Sequence, residues 1–183
     1  MKIIFLLFLT FTVLSASAQK IIRTEKVTDH STHVIGSNFE GVLFTEEFHA
    51  SYPHHKDDIL TNKWFTPSLD EIILIEAVLK AQLKNQTPEA KYNDARIVAG
   101  HLKKYYRQYV GFINRKGEKC IYINGLLKKS VKEIYASKGP DSDEVSLLYN
   151  DLVEVMDGGN EFWHAVINLE TKQIITFYAN GVA

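Results

Sequence analysis

The stretch from residue 151 to residue 180 constrains the fold of this chain most strongly. Its β-rich runs predict three consecutive antiparallel strands: 152–156, 162–169 and 173–179. Gly158 and Gly159 separate the first two runs, and paired glycines favour a two-residue hairpin loop because both can adopt a positive φ without steric cost. The sequence therefore predicts an antiparallel meander at this end of the chain.

The register of the first hairpin predicts which side chains face the core. A two-residue loop places Val155 opposite Phe162 and Val153 opposite His164. Because side chains alternate along a strand, one face would carry Leu152, Met156, Trp163, Ala165, Ile167, Ile175 and Phe177. The other face is also too apolar to remain in water, so we expect both faces of the sheet to be covered.

Residues 1–18 have the pattern of a cleaved export signal. Lys2 precedes an apolar run, and Ala16 and Ala18 supply the small residues that favour cleavage. The run is shorter than the roughly 20 residues that span a bilayer, so we expect no membrane span and a secreted or periplasmic protein cut near Ala18. We further expect residues 19–63 to form an N-terminal covering arm and residues 64–183 a single α+β domain.

The composition excludes one class of partner and gives no cofactor signature. The 21 basic and 22 acidic residues are nearly balanced, so there is no electrostatic footprint for nucleic acid. Cys120 is the single cysteine and lies in a strand-like run, which predicts a buried thiol. No motif predicts a cofactor, and the oligomeric state is left open.

One helix is clearly indicated, from Thr66 or Ser68 to about Lys84. Thr66 followed by a proline is one candidate N-cap, and Ser68 with Glu71 three residues later forms a capping box. Glu76 falls in the middle of the apolar face of this helix. A buried carboxylate needs a cation, hydrogen-bond donors or access to water.

A second hairpin supplies a partner for that carboxylate. Residues 105–114 and 118–126 read as strands, and Gly117 suits the left-handed position of the three-residue loop between them. In this register Arg107 shares a face with Gly111, where we expect the helix to cross. Glu76 and Arg107 would then form an internal ion pair; the alternative, a catalytic Glu76 in a cleft, lacks a second acid.

The remaining candidate residues are few. His164 could act as a general base, but no nucleophile with a suitable partner accompanies it. The aromatic residues of the strands could instead line a ligand groove, which makes Tyr109, His164 and Tyr178 candidate binding residues. His54, His55 and Asp57 are metal-ligating types, yet their spacing does not direct them to one ion. We expect no metal site; the alternative is a site that uses these three residues as ligands.

Several short motifs carry a resemblance to a known family: residues 65–67, 106–114, 116–119, 157–163 and 180–183. From about Trp64 onward the chain resembles an uncharacterised family of small exported bacterial proteins, a resemblance that implies no activity or site residue. The architecture is similar to that of cystatins. Residues 108–111 (QYVG) approach the cystatin inhibitory motif but lack one residue before the glycine, so protease inhibition is not implied.

These patterns predict an α+β fold with one main helix packed on an antiparallel meander of four to five strands. The leading functional hypothesis is an exported, non-catalytic binding module for an unknown protein or small molecule. The alternatives are a small hydrolase or lyase that uses Glu76 or His164 as acid and base, and an envelope structural protein that self-associates through the edge strand 173–179.

Overall fold

A computed structural model describes residues 19–48, 63–86, 95–137 and 148–181. The expected export signal and the candidate metal ligands His54, His55 and Asp57 lie outside these residues. The strands are β1 Ile21–Lys26, β2 Ser31–Gly36, β3 Glu40–Phe44, β4 Trp64–Phe65, β5 Tyr105–Ile113, β6 Lys119–Leu127, β7 Phe162–Asn168 and β8 Gln173–Ala179. The helices are α1 Leu69–Gln82, α2 Ala95–Gly100 and α3 Lys128–Ser137, with 3₁₀ turns at Leu83–Asn85, Leu102–Lys104 and Gly159–Glu161.

The fold is mixed α+β, with one main helix on a large, mostly antiparallel sheet. The described strands form one sheet of eight in the order β1-β2-β3-β5-β6-β7-β8, with the short β4 pairing with β5. All pairs are antiparallel except β3 with β5, where Glu40 lies opposite Tyr106. The expected count of four to five strands is therefore wrong.

The predicted N-terminal covering arm is also wrong for the residues described. Residues 21–44 form three strands that extend the sheet beyond β5. β3 anchors them, because Val42, Leu43 and Phe44 are all buried. The five residues that follow Ile21 in β1 are exposed, which explains why this stretch gave no apolar alternation in the sequence.

Helix α1 begins at the capping box. Ser68 is the N-cap: its Oγ accepts the Glu71 N–H, and the Glu71 carboxylate accepts the Ser68 N–H. Thr66 is not the cap, because its hydroxyl accepts the N–H of Glu46 instead. The helix buries Ile72, Ile75, Val78 and Leu79 against one face of the sheet.

The second hairpin has the predicted register. Gly117 has a φ of 84°, and Tyr109 pairs with Ile123 and Gly111 with Ile121. The element that crosses Gly111 is not α1, however. A Cβ at Gly111 would lie 2.4 Å from the carbonyl oxygen of Phe65, so the short strand β4 is what requires glycine there.

The predicted first strand of the meander, 152–156, is not a strand. β7 pairs with β6 on one side, with Asn124 opposite His164, and with β8 on the other, so neither edge is left for a hairpin with residues 152–156. Gly158 and Gly159 do adopt positive φ, at 90° and 55°, but they lead into a 3₁₀ turn. The expected pairs Val155–Phe162 and Val153–His164 are therefore wrong.

Three of the predicted core-face assignments are wrong: Ile175 and Met156 are exposed, and Leu152 packs on the face opposite α1. A bulge shifts the β7–β8 register after Val166, so Ile174 is buried and Ile175 is 51% exposed. Met156 is 93% exposed, since its segment is not in the sheet. The other four predicted core residues of β7 and β8 lie in the α1-side core: Trp163, Ala165, Ile167 and Phe177.

The face opposite α1 is covered by residues 148–157, which we call the strap. Leu152 packs with Val166 and Val110, and Val153 and Val155 pack against the cluster that contains Phe162. The sequence predicted that both faces of the sheet are covered, and on this face the covering segment includes residues 152–156, which the sequence assigned to a strand.

Among the described helices, none has the length and apolarity that a membrane crossing requires.

Candidate functional site

The α1 side of the sheet contains a buried ion pair. Glu76 and Arg107 are 1% and 0% exposed, and Arg107 Nε lies 2.9 Å from Glu76 Oε1, although its N–H is not aligned with that oxygen. The Tyr109 hydroxyl donates to the same oxygen at 2.9 Å. Arg107 Nη1 and Nη2 donate to the carbonyl oxygens of Tyr105 and Leu102 at 3.2 and 2.9 Å. The structure thus brings together the two residues that the sequence paired.

Burial dominates the electrostatics of this cluster. Desolvation raises the pKa of Glu76, while the Arg107 charge and the Tyr109 hydrogen bond oppose that rise. Burial, together with the nearby Glu76 charge, holds the pKa of Tyr109 well above 10, so its hydroxyl remains a donor. The arrangement joins α1 to β5.

A cavity of about 550 Å³, cavity A, opens beside this pair. Glu76 and Arg107 form part of its wall, with apolar contributions from Ala99 and Leu102. Its other described lining residues are Gln19, Asn38, Lys80, Gly100, His101, Lys103 and Lys104. Three lysines and one arginine therefore face a single carboxylate, so the cavity is cationic.

The opposite face presents a row of aromatic rings on three adjacent strands. The Tyr122 and His164 rings are 5.7 Å apart and the His164 and Tyr178 rings 6.3 Å apart, with interplanar angles of 20° and 9°. The Tyr122 hydroxyl lies 2.6 Å from His164 Nδ1. These rings line a smaller cavity of about 320 Å³, cavity B, which the strap walls off.

The structure does not bring all the sequence-predicted candidates together. His164 and Tyr178 are neighbours in cavity B, but Tyr109 is fully buried on the other face beside Glu76. Glu76 and His164 likewise line different cavities on opposite faces. They cannot act as an acid–base pair on one substrate.

Two other side chains of reactive types, Cys120 and His33, show no catalytic arrangement. Burial raises the pKa of Cys120 to about 11, so this thiol is not a nucleophile at neutral pH, although it borders a third cavity of about 600 Å³. His33 Nε2 lies 3.2 Å from the Glu40 carboxylate. In the described parts of the chain, no three His, Cys, Asp or Glu side chains gather to hold a metal.

Sequence reasoning missed two groups of residues. The first is the lysines of cavity A, which come from α1 and the 3₁₀ turn Leu102–Lys104; charged residues of this kind normally indicate only a solvated surface. The second is the buried amides Gln108, Asn124 and Asn180. For Gln108 and Asn124 the available signal was an amide at a strand position that alternation assigns to a covered face; Asn180 follows β8 and gave no such signal.

Comparisons with protein-family models, curated proteins and solved structures give no match for this chain. Its function has to be argued from the chemistry of its sites.

Proposed function

We propose that this chain is an exported, non-catalytic binding module whose cavity A takes a small anionic ligand. The observation that carries the proposal is the charge of the cavity wall: Lys80, Lys103 and Lys104 surround one carboxylate that Arg107 already neutralises. Within the described residues, none of these three lysines has an acidic side chain at ion-pair distance.

The shape of the cavity is consistent with a small molecule. Its volume of about 550 Å³ lies within the range of small-molecule sites, and its wall combines apolar surface with a few charged groups. Because the Arg107 charge is balanced by Glu76, the excess positive charge comes from the lysines. A carboxylate or phosphate group on a ligand would supply the missing negative charge.

Titration calorimetry with citrate and inorganic phosphate tests the proposal. The double variant Lys103→Gln/Lys104→Gln should weaken binding at least tenfold, and added salt should weaken binding to the native protein. The double variant Lys116→Gln/Lys132→Gln removes the same charge elsewhere and should bind normally. Equal losses in both variants, or no binding to the native protein, would contradict the proposal.

Neither alternative function is favoured by the geometry. A hydrolase or lyase that uses Glu76 or His164 would gain support from a cleft that holds both side chains, but the two line different cavities on opposite faces of the sheet. Self-association would use β8, the last strand of the sheet, but the Gln82 side chain already bonds to Lys172 O and Ile174 N there.

We also propose export after cleavage near Ala18, membership of the small exported bacterial family, and a cystatin-like arrangement limited to α1 with β5 to β8. The basis is the residue pattern of the signal, the short motifs and the sequential order of these four strands. Mass spectrometry of the protein recovered from outside the cytoplasm should give a mature chain that begins at Gln19. An intact Met1 would contradict export.

A further inference from the structure

Cavity B is built around side-chain amides whose orientation is fixed. Gln108 Nε2 donates to the carbonyl oxygens of Leu148 and Asp151 at 2.9 and 2.8 Å, so Gln108 Oε1 must be the acceptor end. That oxygen accepts the Val153 N–H at 2.9 Å and Asn124 Nδ2 at 2.8 Å. The strap is therefore bonded to the sheet by defined donors and acceptors.

Asn124 is left with one buried atom that lacks a partner. Its Nδ2 donates to Gln108 Oε1 and, at 2.9 Å, to the Val153 carbonyl oxygen. The residue is 2% exposed, and no donor among the described residues reaches its Oδ1. Asn124 lines cavity B, and because both partners of its Nδ2 lie on β5 and the strap, we infer that Oδ1 faces the cavity. A buried acceptor of this kind requires a donor.

The other groups around cavity B favour a positively charged ligand. Asn180 uses its Nδ2 on the carbonyl oxygens of Val155 and Asp157, so its amide hydrogens are committed to the strap. Glu154 adds a carboxylate, and neither lysine nor arginine occurs among the described lining residues. The rings of Tyr122, His164 and Tyr178 complete the wall, and aromatic rings attract cations.

We propose that cavity B binds a small organic ammonium ion, with Asn124 Oδ1 and the Glu154 carboxylate accepting its hydrogen bonds. The ammonium group supplies a donor to Asn124 Oδ1 and the positive charge that complements Glu154. The volume of about 320 Å³ lies at the lower end of the range for small-molecule sites, so it admits a small organic ion. This site is independent of the anion site, from which the sheet separates it.

The test compares three probes of similar size by calorimetry and by NMR of the His164 and Tyr178 ring protons. Butylammonium should bind and shift these signals. 1-Butanol, which has no charge, and tetramethylammonium, which has no N–H donor, should bind at least tenfold more weakly. Equal binding of all three, or no shift with butylammonium, would overturn the proposal and leave Asn124 Oδ1 to a water molecule.

Matched variants locate the ligand. Glu154 is exposed, so Glu154→Gln should fold normally and weaken butylammonium binding at least fivefold. Glu170→Gln, which removes an exposed carboxylate in the β7–β8 turn, should leave binding unchanged, as should Lys103→Gln/Lys104→Gln. Unaltered affinity in Glu154→Gln, or an equal loss in Glu170→Gln, would overturn the assignment to cavity B.

Discussion

The two faces of the sheet are covered in physically different ways. Helix α1 satisfies its own backbone hydrogen bonds, so it can cover the sheet with apolar side chains and one ion pair. The strap has no regular structure between residues 152 and 158, and its backbone groups must find partners elsewhere. Gln108, Asn124 and Asn180 supply them. A charge pair positions the helix, whereas neutral amides position the strap.

This difference determines which polar groups remain available to a ligand on each face of the sheet. On the α1 side the buried charges neutralise each other, and the uncompensated charge lies on lysines at the mouth of cavity A. On the strap side Asn124 Nδ2 donates to Gln108 Oε1 and to the Val153 carbonyl oxygen, and Asn124 Oδ1 remains without a partner. The two cavities consequently favour ligands of opposite charge.

The largest expected effect is the loss of the buried cation. Arg107→Ala leaves Glu76 buried without its counter-charge and removes the donors to two carbonyl oxygens, so the free energy of unfolding should fall by about 3–5 kcal/mol. Chemical denaturation of native and variant protein measures this. Arg23→Ala is the matched control, since it breaks an exposed Arg23–Glu25 pair worth at most about 1 kcal/mol. If the two variants lose equal stability, the Glu76–Arg107 pair does not anchor the helix.

The next largest effect concerns the strap. Gln108→Leu should cost about 2–4 kcal/mol, because it removes the partner of the buried Leu148 carbonyl oxygen and of the partly buried backbone groups of Asp151 and Val153. Hydrogen exchange at the Val153 amide should accelerate along with the loss of stability. Gln173→Leu makes the same change at an exposed position of β8 and should be nearly neutral. An unaltered exchange rate at Val153 would show that Gln108 does not fix the strap.

The contrast between the covers also explains how far the sequence could predict them. The capping box, the apolar face of α1 and the Glu76–Arg107 juxtaposition all follow from local periodicity and one hairpin register. Residues 152–156 of the strap are apolar except for Glu154, and so short an apolar run does not distinguish a strand from an extended segment that lies on a sheet. Only the long-range pairing of β6 with β7, which the loop sequence does not encode, decides between the two.

The place of β3 was beyond local reasoning for the same reason. Its parallel pairing with β5 joins residues more than sixty positions apart, and no turn signal specifies such a register. The lysines of cavity A come from separate elements, so their convergence depends on how those elements pack.

The ion pair should also give the α1 side a pH dependence that the amides of the strap cannot have. Burial raises the pKa of Glu76 above 4.5, so the folded state holds this proton more tightly than the unfolded state. The resulting stability is complete below the unfolded-state pKa and is lost as the pH rises through the folded-state value. The unfolding free energy of the native protein should therefore fall more steeply above about pH 4.5 than that of Glu76→Gln, by at most about 1.4 kcal/mol per pH unit. Parallel curves for the two proteins would contradict a raised pKa.

The smallest expected effect concerns Gln82, whose side-chain amide bonds α1 to backbone groups of the sheet, as the amides on the opposite face bond the strap. Gln82 Nε2 donates to Lys172 O at 2.8 Å, and Gln82 Oε1 accepts the Ile174 N–H at 3.2 Å, so this side chain occupies the start of the β8 edge. Gln82 is half-buried and the edge can exchange its bonds for water, so Gln82→Ala should cost only about 1 kcal/mol, less than Gln108→Leu. Denaturation compared with the exposed Lys84→Ala variant measures the cost, and exchange at the Ile174 amide should accelerate. A loss as large as that of Gln108→Leu would mean that the helix, like the strap, depends on side-chain amides for its attachment, and the distinction between the two covers would fail.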